Sequence, residues 1–469
     1  MTQNNTDHWK AAEIVVSELH AFGFEGFLVG GAVRDILLSR GPKDFDIVTN
    51  ATPQEVMAIP SFSKSSFTDP AQAFGVTRVR VALDDGSESD LEIATYRRDV
   101  EAHLGRKLTK VEFTHIEDDL ERRDFTINAL ALDPHNDFLV DLHGGLDDLD
   151  SKTIKFIGDP DKRIAEDPLR ILRAVRFRNQ LGFEYDPVTK KALIEAVGQG
   201  RLDDIAIDRV GQELTRMLLH ESRRATFEDM QSLGILDVIL PELVATKGVQ
   251  QPPDHHFEGD VWVHTILALE SLADPTARLA WATLLHDIGK VKTFRAPKSA
   301  EDRIHFDSHF RVGADMAGTI MARLKFSKKL QEDVSWLVHY HLITDSFAGM
   351  SQSRRYHYMA NPAFHDLLEL HKADLCGSIA ADPSNEKDDE IIEGLEKSWL
   401  EYRKQAGAEV PSIKQTLGID GNWLKKEFNI AGGQEMGKVL DQLQADFLDG
   451  KIKSIDDARQ KVTALLKNK

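Results

Sequence analysis

The sequence predicts an α/β head over residues 1–150 followed by a long, all-helical remainder. Three observations predict it. Short runs alternating apolar and polar residues recur up to residue 142, which is strand periodicity. From about Ile164 the spacing turns helical and stays so. At 469 residues the chain is too long for one core and should divide into about three or four domains.

The head reads in order. Residues 9–22 place Ala12, Val15, Val16 and Leu19 at helical spacing and lead into a strand ending at Val29. Residues 43–48, Lys-Asp-Phe-Asp-Ile-Val, alternate as a second strand. Further strands are expected over residues 77–83, 91–96, 129–132 and 138–142. Residues 97–113 are polar, have no sustained period, and read as a mobile loop. Beyond the head, residues 382–390 are charged, contain Pro383, Ser384 and Asn385, and read as a linker. There is no internal repeat or long low-complexity tract. The expected division is 1–150, 151–245, 246–380 and 381–469.

Composition narrows the class. A hydrophobic fraction of 41% is that of ordinary globular protein. The net charge of −19 argues against nucleic-acid binding by the surface as a whole. A local basic track remains, where Lys162, Arg163, Arg170, Arg173, Arg176 and Arg178 cluster. Cys376 is the only cysteine, so no internal disulfide forms and a reducing compartment is expected. The first ten residues are polar, and no apolar run approaches the roughly 20 residues of a membrane span. A soluble cytoplasmic protein with no membrane partner is expected.

The chemistry begins at Leu28-Val29-Gly30-Gly31-Ala32-Val33-Arg34-Asp35, followed by Asp44-Phe45-Asp46. On a strand, period two would send Asp44 and Asp46 to one face and Phe45 and Ile47 to the other. Adjacent carboxylates repel unless a cation lies between them, and such hard oxygen ligands suit Mg²⁺. Gly30 and Gly31 can expose backbone N–H groups to phosphate at a helix start, and Arg34 adds a bidentate donor. Alone, an Asp-x-Asp is an ordinary strand edge and a Gly-Gly a tight turn. Together they read as nucleotidyl transfer. Glu92, in the alternating Asp90-Leu91-Glu92-Ile93, is a third candidate carboxylate or a plain solvent-facing acid.

Two further motifs follow. Glu121-Arg122-Arg123-Asp124-Phe125-Thr126-Ile127-Asn128 offers clamps for phosphate and for hydroxyls, or else a salt-bridged helix end, with Asp118 and Asp119 as ordinary helix-start acids. In Glu166-Asp167-Pro168-Leu169-Arg170, Asp167 reads as an N-cap and Pro168 as the first helical residue. Asp167 and Arg170, three apart, can share one helix face. A carboxylate acceptor beside a guanidinium donor matches the edge common to cytosine and adenine, an exocyclic amine next to a ring nitrogen. Such a pair would select CTP and ATP without a nucleic-acid template. Leu172 and Val175 read as core, and Arg209 with Glu213 as an ordinary i,i+4 pair.

A fourth set lies far downstream: His264, the doublet His286-Asp287, then His309, His339, His341 and Asp374. With 18 histidines some coincidence of spacing is expected. His264, His286, Asp287 and Asp374 nevertheless form a nitrogen and oxygen set suited to Mn²⁺, Ni²⁺, Co²⁺ or Mg²⁺.

These motifs resemble the nucleotidyltransferase superfamily that includes polymerase beta, and more closely the class II tRNA nucleotidyltransferase and bacterial poly(A) polymerase family. The resemblance implies a polymerase-beta-like head, then an all-α neck, a domain of the HD phosphohydrolase superfamily, and a helical tail. It implies that Gly30, Gly31 and Arg34 bind the triphosphate and that Asp44 and Asp46 hold the catalytic metals. Glu92 would be a further carboxylate there. Asp124 would take the sugar hydroxyls and Arg123 phosphate, within a segment that includes Asn128. Asp167 and Arg170 would be the protein template for incoming bases, with Arg173 and Arg176 near the nucleotide. His309 and either His339 or His341 match the extra histidines of active HD members, which cleave phosphoesters.

The activity so implied is template-independent addition of the 3′-terminal CCA to tRNA from CTP and ATP, with a metal-dependent phosphohydrolase in the HD domain. The 97–113 loop would help the pocket change from CTP to ATP, and the helical parts would hold the tRNA acceptor arm by shape and phosphate contacts. No protein partner is evident. A poly(A) polymerase, a partial CC- or A-adding enzyme, and a phosphohydrolase with a nucleotide-sensing head are the alternatives. Residues 67–77 lack the Arg-rich, aromatic stretch expected of the polymerase subgroup. Ala431-Gly432-Gly433 stands where a Pro-Gly-Pro turn is expected in the tail of many relatives.

Overall fold

The computed structural model describes residues 3–42, 44–62, 75–83, 85–101, 110–252, 256–299, 302–347, 349–379, 386–406, 412–430 and 432–467. The stretch 67–74, the middle of the 97–113 segment, and Ala431 lie outside them. The chain forms two compact units, residues 1–241 and 242–469.

The first unit is built on a six-stranded mixed sheet. Its strands are β1 (Phe27–Val29), β2 (Asp46–Thr49), β3 (Val76–Ala82), β4 (Glu88–Thr95), β5 (Leu130–Asp133) and β6 (Phe138–Asp141), in the spatial order β3-β4-β2-β1-β5-β6. Only β2 and β4 run parallel, which sets Asp46 directly beside Glu92, while the antiparallel β1 sets Val29 beside Asp46. Helix α1 (Gln3–Ala21) begins before the expected start. It buries Ala11, Ala12, Val15, Val16 and Leu19, the 3.6-period stripe read from the sequence.

Asp44 departs from expectation. β2 starts at Asp46, so Asp44 lies in the preceding connection and not on the strand. Phe45 and Ile47 are buried while Asp44 and Asp46 are exposed, so the alternation persists without the ladder. The loop reading of 97–113 also needs correction. Its flanks, Arg97–Glu101 and Lys110–Phe113, pair as an antiparallel ribbon with an irregularity between Asp99 and Glu101. Arg98 meets Glu112 at 2.9 Å across that ribbon, a cross-strand ion pair that an apolar period does not reveal.

Behind the sheet the chain turns helical. Helix α2 (Gly31–Leu37) leaves β1 through Gly30, whose φ of 70° favours glycine. Helices α3 (Pro160–Glu166) and α4 (Leu169–Leu181) flank Asp167, and α5 (Ile207–Leu218) packs on α4. Asp167 is therefore not simply the N-cap of a helix opening at Pro168. It closes α3 in extended conformation (φ −145°, ψ 98°), as a residue before proline must, and its carboxylate still accepts from Leu169 N at 3.2 Å.

The second unit is helical apart from a short two-stranded pairing at Phe294–Arg295 and His305–Phe306. Its site-bearing helices are α6 (Val261–Ser271), α7 (Ala277–Leu285), α8 (His309–Arg323), α9 (Lys328–Tyr340) and α10 (Phe364–Gly377). Side chains of Asp260, Thr276 and Ser327 cap α6, α7 and α9. Residues 386–390, read as linker, lie instead in a helix, Glu386–Ala406, while 382–385 are outside the described residues. Beyond it, Ile413, Ile419, Leu424, Leu443 and Val462 form a small core of their own. Among the described residues no helix is long and apolar enough to cross a membrane.

Candidate active sites of the two units

In the first unit a cleft of about 540 Å³ opens over the sheet. Its sheet side carries Gly30, Gly31, Arg34, Asp46 and Glu92, and its far side carries Arg123, Asp124, Asn128, Asp167, Arg170 and Arg173. Asp44 and Arg176 are not in this lining. They border an adjoining cleft of about 670 Å³ that shares Gly31, Arg34, Asp46 and Phe177 with the first. Asp46 thus fronts both spaces.

The carboxylates are crowded. Although Asp46 reaches solvent, the protein packed around its carboxylate raises it above its ordinary pKa, Arg123 opposes, and Glu92 and Asp44 add to the rise. Glu92 is also paired with Arg78 at 2.7 Å on the next strand. Glu92 and Asp44 thus lie close enough to act on Asp46, a crowding that a cation would relieve. A Cβ on Gly30 would lie 2.9 Å from Arg123 Nη1, so glycine leaves the turn open to that guanidinium.

The arginines are held before any ligand arrives. Arg34 donates to Asn128 Oδ1 (2.8 Å) and to Asp35 (2.7 Å). Asp119, fully buried, holds both Arg122 (2.7 Å) and Arg123 (3.1 Å), so it is a central support and not an ordinary helix-start acid. Asp124 accepts from Arg173 Nε (2.7 Å), Asn128 Nδ2 (3.1 Å) and Phe125 N (2.9 Å). Burial works against these two carboxylates, yet their arginines outweigh it and hold both below the usual range.

The side chains of Asp167 and Arg170 both line the cleft and do not pair with each other, while the Arg170 backbone N–H donates to Asp167 O at 3.0 Å. Arg209 grips Asp167 through both oxygens (3.0 and 2.8 Å). Arg170 donates to Glu166 (2.7 Å) and to the carbonyls of Arg163 (2.8 Å) and Arg122 (2.9 Å). The i,i+4 reading of Arg209 with Glu213 is therefore corrected. Glu213 is buried and takes Arg176 and Arg216, each at 2.6 Å, while Arg209 reaches forward to the motif. Within the basic track, Arg163, Arg170, Arg173, Arg176 and Arg178 are all paired with carboxylates.

Phe177 escaped sequence reasoning, hidden between Arg176 and Arg178. Its ring lies under three guanidiniums, Arg176 at 4.2 Å, Arg34 at 5.1 Å and Arg173 at 5.3 Å, and lines both clefts. Arg97 and Arg122 also line the first cleft and were read only as parts of a loop and of a motif.

In the second unit His264, His286, Asp287 and Asp374 meet, each bringing a ligand atom within 4.8 Å of the others. His264 Nε2 is 2.9 Å from Asp374 Oδ1 and 3.1 Å from His286 Nε2. Asp287, His309 and His341 form a second such group that shares Asp287. Its Oδ2 faces His286 (3.3 Å) and its Oδ1 faces His309 (3.5 Å) and His341 (3.9 Å). Of the two candidates on α9's C-terminal side, His341 joins the site. His339 does not: it meets Phe310 and Tyr340 edge-on, because two residues along a helix turn a side chain away.

Glycines permit this convergence. A Cβ on Gly289 would sit 2.1 Å from His309 O, and one on Gly377 would sit 2.9 Å from His264 O. Lys290, which no motif singled out, donates to Asp287 (2.6 Å) and Gln251 (2.7 Å). Burial lowers His341 to about 4, with His286 adding to the effect. Burial likewise opposes charge on His286, but Asp287 and Asp374 prevail and raise it to about 10.

Comparison with known proteins agrees with this layout. Residues 26–155 match the Poly A polymerase head domain, 182–246 the probable RNA and SrmB-binding site of polymerase A, and 262–371 the HD domain. The chain is 33% identical over 319 residues to the multifunctional CCA protein of Neisseria gonorrhoeae, covering 68% of this chain and 73% of that one. It is 31% identical over 443 residues to the A-adding tRNA nucleotidyltransferase of Deinococcus radiodurans, covering 92% and 93%. The crystal structure of the Bacillus stearothermophilus CCA-adding enzyme with CTP matches 98% of this chain and 99% of its own, with a TM-score of 0.65 at 21% identity, a likeness of fold. The expected architecture, a polymerase-beta-like α/β head followed by helical parts and an HD domain, is the one observed. With relatives that align along most of its length, the chain belongs to the tRNA nucleotidyltransferase and poly(A) polymerase family and carries an HD domain.

Proposed function

We propose that the protein is a template-independent CTP(ATP):tRNA nucleotidyltransferase that builds or repairs the 3′-terminal CCA of tRNA in the cytoplasm. The observation that carries this reading is the first-unit cleft, where Asp46 beside Glu92 faces the fixed pair Asp167 and Arg170. Asp44, Asp46 and Glu92 are the residues that would hold Mg²⁺. The ion supplies charge neutralisation at the triphosphate and activation of the attacking 3′-hydroxyl.

The protein's own groups do the rest. The backbone at Gly30 and Gly31, with Arg34 and Arg123, cradles the triphosphate. Asp124, whose acceptor positions are filled by Arg173, Asn128 and Phe125 N, takes a sugar hydroxyl by exchanging one of these donors. Asp167 accepts the exocyclic amine of cytosine or adenine, and Arg170 donates to the neighbouring ring nitrogen. Uracil and guanine present a carbonyl and an N–H there and meet like against like, a mismatch that leaves buried polar groups unpaired. Arg209 holds both oxygens of Asp167 and so keeps the carboxylate aimed, and the selection is made by side chains. Arg173 and Arg176, held by Asp124 and Glu213, stand beside the nucleotide.

The test is incorporation onto a tRNA transcript lacking its CCA end, each labelled NTP supplied singly and then together, with products resolved at one-nucleotide length. Two C and one A, then a stop, support the reading. An unbounded A ladder makes the protein a poly(A) polymerase. Addition of A alone, onto tRNA already ending in CC, makes it an A-adding enzyme. The wide alignment with the Deinococcus radiodurans protein favours that second reading.

We further propose that the second unit is a metal-dependent phosphohydrolase. The donor set of buried His and Asp fits Mn²⁺, Ni²⁺, Co²⁺ or Mg²⁺, and Asp287, facing both groups, fits two ions side by side.

A further inference from the structure

We infer that Glu258 is a positioning residue for the histidine centre of the second unit, holding the His264 ring so that Nε2 faces the ion. This rests on the phosphohydrolase reading of that centre. The argument begins with what a ligating imidazole requires. A ring that binds through Nε2 carries its proton on Nδ1, and a buried Nδ1–H needs an acceptor.

Three of the four site histidines meet this need through main-chain carbonyls. His286 Nδ1 reaches Thr283 O at 2.8 Å, His309 Nδ1 reaches Phe306 O at 2.9 Å, and His341 Nδ1 reaches Val338 O at 2.7 Å. His264 is different. It is fully buried on α6, and the carbonyl three residues back, Val261 O, takes the Thr265 hydroxyl at 2.8 Å instead. No well-aligned hydrogen bond satisfies its Nδ1. Among the described residues, the acceptor within reach is a carboxylate, Glu258 Oε1 at 3.3 Å.

Glu258 is itself fixed. Its side chain has no exposure, and Oε1 takes a hydrogen bond from His256 Nδ1 at 2.7 Å. Its other oxygen accepts from Ile379 N at 2.8 Å, and Phe257 N donates to Ile379 O at 2.8 Å. Ile379 follows closely on Asp374, the carboxylate that His264 Nε2 approaches at 2.9 Å. Glu258 therefore links His264 to the chain at Ile379, five residues beyond Asp374, through one buried group. A carboxylate also makes the imidazole a stronger donor to a cation than a carbonyl does.

The test is Co²⁺ titration of the full chain after removal of metal, read by calorimetry and by the visible absorption of nitrogen-ligated Co²⁺. Wild type, Glu258→Gln and Glu258→Ala are compared, with the stability of each metal-free protein measured alongside. The glutamine variant keeps an acceptor for Ile379 N but not the charge. Both variants should bind Co²⁺ roughly 10- to 100-fold more weakly than wild type, with altered absorption, while nucleotide transfer by the first unit is unchanged. Equal Co²⁺ affinity in all three proteins overturns the positioning role. So does a loss that merely follows a fall in metal-free stability. Wild type that takes up no nitrogen-ligated Co²⁺ overturns the phosphohydrolase reading itself, and the inference with it.

Discussion

The two sites balance charge in opposite ways. In the first-unit cleft, guanidiniums meet carboxylates pair by pair: Arg34 with Asp35, Arg122 and Arg123 with Asp119, Arg173 with Asp124, Arg209 with Asp167. In the second unit, four histidines and two aspartates converge in a buried place, and Lys290 is the one lysine or arginine among the described residues that pairs with them. The first site is organised before its ligand arrives, except at Asp44 and Asp46. The second is a cluster of donors that a cation would complete. Preorganisation by ion pairs suits recognition of a charged, hydrogen-bonding nucleotide. Uncompensated donors suit metal binding.

The sharpest way to break this contrast is at Asp167. Asp167→Ala should lower kcat/KM for CTP and ATP by roughly 10- to 100-fold and narrow their advantage over UTP and GTP. Arg209→Ala, which releases Asp167 without removing it, should do the same to a smaller degree. Steady-state kinetics with all four nucleotides decide, and an unchanged preference would remove the protein-template argument.

The second test is calorimetric. Metal added to the metal-free protein at about a hundred times its Kd should stabilise the unit that binds it by about 2.7 kcal/mol. The expectation is a rise of roughly 5–10 °C in the transition of the second unit, reversed by chelation, with the first unit little moved. If the first unit shifts more, the contrast is inverted.

Phe177→Leu is a finer probe. Each guanidinium over the ring contributes about 0.5–1 kcal/mol. Losing the ring should raise KM for CTP and ATP about five- to tenfold, with a smaller change in kcat, if its role is to hold Arg34, Arg173 and Arg176 in place. A fall in kcat alone would point elsewhere.

The smallest effect is in pH. Asp119 and Asp124 have folded pKa values depressed below the ordinary 3.8. Their ionised forms therefore stabilise the fold above that value, and the stabilisation is lost as pH falls through the lower folded values. Asp124→Asn should be less stable than wild type at neutral pH, and the gap should close below about pH 4. Asp46 has the opposite sign, since its pKa is raised. Asp46→Asn should leave the metal-free fold no less stable at neutral pH while abolishing transfer.

How much of this was legible in the sequence follows from range. Period-two and period-3.6 patterns located the sheet and α1, since burial of one face is a local property of the chain. Asp44, Asp46, Asp167, Arg170 and the His-Asp doublet stood out because their chemistry lies within a few residues of itself. The supports did not. Arg209 lies 42 residues from Asp167 in sequence, and its spacing to Glu213 suggested the wrong partner. Glu258 reaches across 121 residues to Ile379, and Asp119 looked like any acid at a helix start. The choice between His339 and His341 needed the helix's rotation, which spacing alone left open. Residues 97–101 and 110–113 were misread because the ribbon is held by backbone pairing and the Arg98–Glu112 contact, with no apolar stripe to betray it.

The most direct measurement crosses the two sites. An Asp44→Ala/Asp46→Ala protein and a His264→Ala/His286→Ala protein are assayed side by side for CMP and AMP addition to tRNA and for metal-dependent hydrolysis of a chromogenic phosphoester. The account predicts that the first loses nucleotide addition by roughly 10³-fold or more and keeps hydrolysis. The second should keep addition and lose hydrolysis. Nucleotide addition that survives loss of both aspartates would contradict the account at its centre.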